Sequence, residues 1–122
     1  MSSTIRHDAM ALKAGANLQA FESFMSGELM PHFTQRFKGP SRVSKADLTA
    51  ITLLRDIKSE RRFLLVTVWT GAATAVAGAA FENARMNSAP ATDALLSRLD
   101  GFAKRSAEKV YSVLLNAEVT SS

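Results

Sequence analysis

The sequence has no cysteine, two histidines and three prolines among 122 residues. Without cysteine there is no disulfide framework, no thiolate metal site and no thiol nucleophile. Two histidines and scattered carboxylates lack the spacing that gathers a metal ion, and neither metal nor other cofactor is expected. Gly71 and Gly78 fit no phosphate-cradling loop, and no serine sits in a nucleophile elbow. Internal repeats and low-complexity tracts are missing. The opening MSSTIRHDAM has no apolar segment of the signal-peptide kind, so a cytoplasmic protein is expected.

What is present suits one domain over residues 1–122, with 118–122 as a frayed tail. A chain of this size buries roughly two thirds of its unfolded surface and needs no staples. Fifteen Lys and Arg against eleven Asp and Glu give a net charge of +4. Eight of the basic residues fall between Arg36 and Arg62, opposed only by Asp47, Asp56 and Glu60. The cluster has no interleaved aromatics, helix-turn-helix or RNA-binding aromatic motif. It reads as solubilising charge on loops and a hairpin, with no nucleic-acid partner.

The longest uncharged stretch, Phe63 to Phe81, has 19 residues, close to a membrane span. Its halves differ. Phe63 to Trp69 is β-branched and aromatic, while Ala72 to Ala80 is mostly alanine. Thr70-Gly71 breaks them, which predicts strand, turn, helix, and no membrane partner.

Ile5 to Leu12 reads as a weak first strand with Arg6, Asp8, Met10 and Leu12 on one face. Gly15 ends it, and Asn17 is placed to cap the next helix. Leu18, Phe21, Met25, Leu29, Phe33 and Phe37 recur at helical spacing, so Leu18 to Phe37 reads as a long amphipathic helix. Pro31 should kink or divide it. By the helical wheel His32 falls beside Met25 and Phe21, provided the kink does not reset the phase. Leu48 to Arg55 and Arg62 to Trp69 read as strands around a charged loop. Neither alternates cleanly, which implies a sheet covered on both faces. The alanine-rich helix runs on to about Asn83 or Met86. A last short helix starts at Thr92 or Asp93 and places Gly101, Lys104 and Arg105 at its end. Glu108 to Ala117 reads as the fourth strand.

The order β-α-β-β-α-(α)-β is that of a ferredoxin-like α+β fold with a four-stranded antiparallel sheet. Helices cover one face, and the apolar remainder predicts a homodimer packed through the open face. Several stretches in this order resemble the dimeric α/β-barrel superfamily, in its antibiotic-biosynthesis-monooxygenase-like branch. They are GELMPHFTQRFKG, ITLLRDIKSERR, FLLVTVW, AGAAF and KVYSVL.

The resemblance implies a cofactor-free monooxygenase-like enzyme acting on a small aromatic or polyketide-like substrate. It places Trp69 at the pocket wall, with Phe21, Asn83 and Arg85 as further substrate contacts. Asp8 and His32 are the candidate catalytic bases. Each has a plainer role open to it. Trp69 can simply close the core, Asp8 can be an exposed charge on an edge strand, and His32 can be a satisfied histidine at the core's margin. Haem-degrading members carry an axial histidine in or after the second helix. Phe81 to Leu96 contains none, which disfavours haem. The alternative is a non-catalytic homodimer of the same fold that binds a small ligand or serves in stress.

Overall fold

The first strand is the structural centre, although its sequence alternates charge with small apolar residues. In the computed structural model, which describes residues 3–37, 47–70, 90–117 and 119, β1 (Ser3–Leu12) lies between two neighbours. It pairs antiparallel with β3 (Arg62–Thr70) on one side and β4 (Ala103–Ser112) on the other. β2 (Asp47–Arg55) completes a sheet of order β2-β3-β1-β4. The expected ferredoxin-like α+β architecture is the one observed. Burial along β1 alternates residue by residue, so Thr4, Arg6, Asp8, Met10 and Leu12 face the helices. Phe63, Leu65, Thr67 and Trp69 of β3 share that face.

Asn17 caps the first helix, α1 (Leu18–Phe24), its side-chain oxygen accepting from Ala20 N at 2.8 Å. Gly15, at φ +84°, makes the preceding turn in a conformation that glycine adopts without strain. The break in the long helix falls before Pro31 rather than at it. A π-helical segment (Met25–Leu29) intervenes, and α2 (Met30–Arg36) resumes with Pro31 in its first turn. Two causes converge here. Proline offers no N–H and its ring crowds the carbonyl four residues back, which a widened turn relieves. The apolar residues at 21, 25, 29, 33 and 37 are spaced by four, a step that drifts by about 40° each time on a regular helix. One wide turn restores the alignment, and all five side chains are buried.

The same wide turn resets the helical phase at His32, the condition on which its wheel placement depended. His32 hydrogen-bonds Thr92, and its ring lies 6.3 Å from that of Phe33.

The last helix, α3 (Pro90–Phe102), runs directly into β4. This corrects the expected fourth strand by about five residues. Lys104 and Arg105 are strand residues, and the strand stops at Ser112. Pairing with β1 decides the matter: Leu12 sits opposite Ala103 and Thr4 opposite Ser112, so β4 spans the length of its partner. Leu114 and Leu115, apolar enough to read as strand, lie beyond it and are about 90% exposed. The expected alanine-rich helix falls outside the described residues, as does most of the expected frayed tail. Among the described residues no helix is long and apolar enough to cross a membrane.

The core lies between sheet and helices. Phe21 and Phe63 meet at a tilt, 4.9 Å between ring centres, Phe24 stacks on Phe102 at 5.4 Å, and Phe33, Phe37 and Trp69 continue the aromatic contacts. The opposite sheet face carries Ile5, Leu64, Val66 and Val68, which are only half-buried in the single chain.

Candidate functional site

Across one half of the helix-facing sheet, polar side chains stand where apolar ones would normally lie. Thr4, Arg6 and Asp8 on β1, Thr67 on β3 and Glu108 on β4 form a row, with the Trp69 indole at its end. Arg6 is 1% exposed and Asp8 8%. Burying charge is costly unless each group is paired, and these are. Arg6 donates from Nε to Asp8 Oδ2 and from Nη2 to Asp8 Oδ1, each at 3.0 Å. Its Nη1 pairs with Glu108 Oε2. Residues two apart on a strand share a face, which is why Arg6 can grip Asp8 from the same strand.

Asp8 is therefore not an exposed charge on an edge strand. β1 is an inner strand, and Asp8 is fixed in a two-point ion pair. Arg6 and Glu108 are the charged members of the row that the sequence did not single out, and Thr4 and Thr67 the uncharged ones. The signal was available: Arg6 shares strand parity with Met10 and Leu12, so the face that buries them also buries a guanidinium.

Trp69 is 1% exposed. Its Nε1 donates to Thr67 Oγ1 at 2.8 Å, and its ring meets Phe37 edge-on at 5.9 Å. It stands opposite Thr4, four residues from Asp8 along β1, a span of about 13 Å. Arg6 thus lies between the indole and the carboxylate. Phe21 has no exposed surface and packs among Phe63 and Phe102. Asn83 and Arg85 lie outside the described residues.

His32, on α2, is half-buried and shares a hydrogen bond of 2.6 Å between its Nε2 and Thr92 Oγ1 on α3. It does not touch the Arg6–Asp8–Glu108 row. Burial, followed by the positive charge of Arg36, lowers its pKa below the ordinary 6.5. The folded state therefore favours neutral imidazole. The unfolded chain takes up a proton first as pH falls through 6.5, so this contribution is full above that value and lost below it. The urea midpoint should fall between pH 7.5 and pH 5.5, and His32→Gln should reduce that fall. An unchanged pH dependence in the variant would remove His32 from this role.

Two openings adjoin the row. The void between sheet and helices, lined by Asp8, Leu29, Phe33, Leu65, Leu96 and Arg105 among others, amounts to about 10 Å³, room for one water at most. Over β1 and β4 a cleft of about 580 Å³ has Arg6, Asp8 and Glu108 among its lining residues. Among the described residues no group of three or more potential ligands is placed to hold a metal.

A four-stranded antiparallel sheet in this order, with helices on one face and a buried polar row beneath them, defines a ferredoxin-like protein with a candidate small-molecule site. Solved structures share this fold. SnoaB, a cofactor-independent oxygenase from Streptomyces nogalater, aligns over 95% of this chain and 97% of its own, with a TM-score of 0.65 and 16% identity. A candidate antibiotic biosynthesis monooxygenase from Chloroflexus aurantiacus aligns over 98% of this chain and 100% of its own (TM-score 0.56, 10% identity). A NIPSNAP-family protein from Agrobacterium tumefaciens aligns over 93% of each chain (TM-score 0.51, 10% identity). The fold implied by the resemblance to monooxygenase-like α/β-barrel proteins is thus the fold found. No protein-family model and no curated protein matches the sequence.

Proposed function

We propose that this chain is a cofactor-free oxygenase-type enzyme, acting as a homodimer on a small aromatic or polyketide-like substrate. The observation that carries the reading is the Arg6–Asp8–Glu108 row, with Arg6 and Asp8 buried and Glu108 half-buried, a set of charges that packing alone does not call for. Structural similarity to SnoaB supports the class.

In this reading Asp8 accepts a C–H proton from the activated ring methylene of a phenolic substrate, while Arg6 holds the carboxylate in place and offsets the negative charge that develops. The resulting carbanion reacts directly with dioxygen. A carbon–oxygen bond forms, the electron pair of the broken C–H bond reduces dioxygen to the peroxide level, and loss of water leaves a quinone carbonyl. His32 is the second candidate base, and Trp69 walls the far end of the row. Asn83 and Arg85 are further proposed contacts. Ile5, Leu64, Val66 and Val68 on the open face supply the dimer interface, since so continuous an apolar patch is seldom left in water. A soluble cytoplasmic location fits this reading.

A second reading has one observation in its favour. The void under the helices has room for only about one water, too little for a substrate, which suits a homodimer of this fold that does no chemistry there.

Oxygen uptake by chelator-treated protein given hydroxylated polycyclic substrates separates the two. Equal moles of oxygen consumed and quinone formed are expected, with no product under argon. Ligand binding without oxygen uptake would favour the second reading.

A further inference from the structure

The cleft over β1 and β4 has a structural cause. The register of β4 against β1 passes from Asp8↔Glu108 to Met10↔Arg105, so residues 106 and 107 stand together opposite Ala9. Such a bulge bends its strand and re-aims the side chains beside it, and bulges recur next to sites. Here it leaves a cleft of about 580 Å³ with Arg6, Asp8 and Glu108 on its inner wall and Lys13, Lys104 and Arg105 among its lining. That volume lies within the range of small-molecule sites.

The charges of the cleft do not cancel. Asp8 and Glu108 meet Arg6, and Asp100 meets Arg105 through both oxygens, at 2.8 and 3.1 Å. Lys13 and Lys104 take part in no ion pair among the described residues. Four cations line the cleft against three carboxylates, because Asp8 and Glu108 share one guanidinium, so one net positive charge remains and it is carried by the lysines at the opening.

We propose that this cleft binds a small hydroxylated aromatic carboxylate. The anion sits against Lys13 and Lys104, and the hydroxyl is directed inward to Asp8. The anionic half of the assignment rests on the unmatched lysines. The aromatic hydroxyl rests on the proposed oxygenase function.

Amide chemical-shift titration with 1-hydroxy-2-naphthoate, beside uncharged 1-naphthol, reads binding without turnover. The naphthoate should shift the amides of Lys13 and of residues 104–108 saturably, and bind about tenfold tighter than naphthol. Lys13→Glu and Lys104→Glu should each weaken the naphthoate by about tenfold and leave naphthol unchanged. Both lysines are exposed, so the variants should fold, and Lys58→Glu, outside the cleft lining, should have no effect. Equal binding of the two probes, indifference to both lysine reversals, or shifts confined to the Trp69 Nε1–H would overturn the proposal. Lysine-dependent binding without oxygen uptake supports the cleft and counts against the oxygenase reading. Oxygen uptake indifferent to both lysines does the reverse.

Discussion

Arg6→Leu is expected to cost about 3–5 kcal/mol of folding stability, the range for removing one partner of a buried ion pair. The reason lies in the groups left behind. Asp8 accepts two hydrogen bonds from Arg6, and Glu108 shares the same guanidinium. Leucine fills much of the space but leaves Asp8 largely buried beside an apolar side chain. The loss should be partly recovered in Arg6→Leu with Asp8→Asn, because the second change removes the stranded charge. Urea denaturation of the two single variants and the double variant measures the coupling. Arg6→Lys, which keeps the charge but loses the two-pronged geometry, should fall between parent and Arg6→Leu. A loss below about 1 kcal/mol for Arg6→Leu would mean that the row behaves like a solvated surface pair.

Phe21→Ala is the second large effect, also at about 3–5 kcal/mol. Phe21 has no exposed surface, and its ring lies 4.9 Å from Phe63 and 6.0 Å from Phe102. Truncation removes apolar burial and leaves a cavity that three separate elements border. Phe21→Leu should cost much less, because most of the volume stays. This pair also tests the proposed substrate contact. If Phe21 acts only by packing, Phe21→Leu leaves ligand affinity unchanged in folded protein. An affinity loss with intact stability would place its ring against the ligand.

Much of the fold was written in local pattern. Asn17 and Gly15 announced the turn into α1, and β2 and β3 ended within one residue of where their composition placed them. The four-residue spacing from Phe21 to Phe37 held more than it first yielded. A regular helix cannot keep that stripe aligned, and the π-helical turn is the physical answer. The fourth strand was less legible, since local hydrophobicity favoured Val113 to Leu115 whereas pairing with β1 decided the ends. Strand pairing is a long-range property, and β-propensity does not encode its register.

The candidate site was half legible. Parity put Asp8 on the face that carries Met10 and Leu12, but whether β1 lay at an edge or inside decided its burial. That is a matter of topology. Glu108 could not be joined to Arg6 without the bulged register of β4. The wheel placed His32 only for an unbroken phase, and the wide turn that aligns the core resets that phase.

The central claim is that chemistry centres on Asp8. Its most direct test is the steady-state rate of Asp8→Asn with a turned-over phenolic substrate, measured beside His32→Gln. Asparagine keeps the shape but cannot take the proton, so kcat should fall by about 10²–10⁴ in folded protein, while His32→Gln stays near the parent. Parental turnover in Asp8→Asn, or loss of turnover in His32→Gln alone, would exclude Asp8 as the base and move that role to α2.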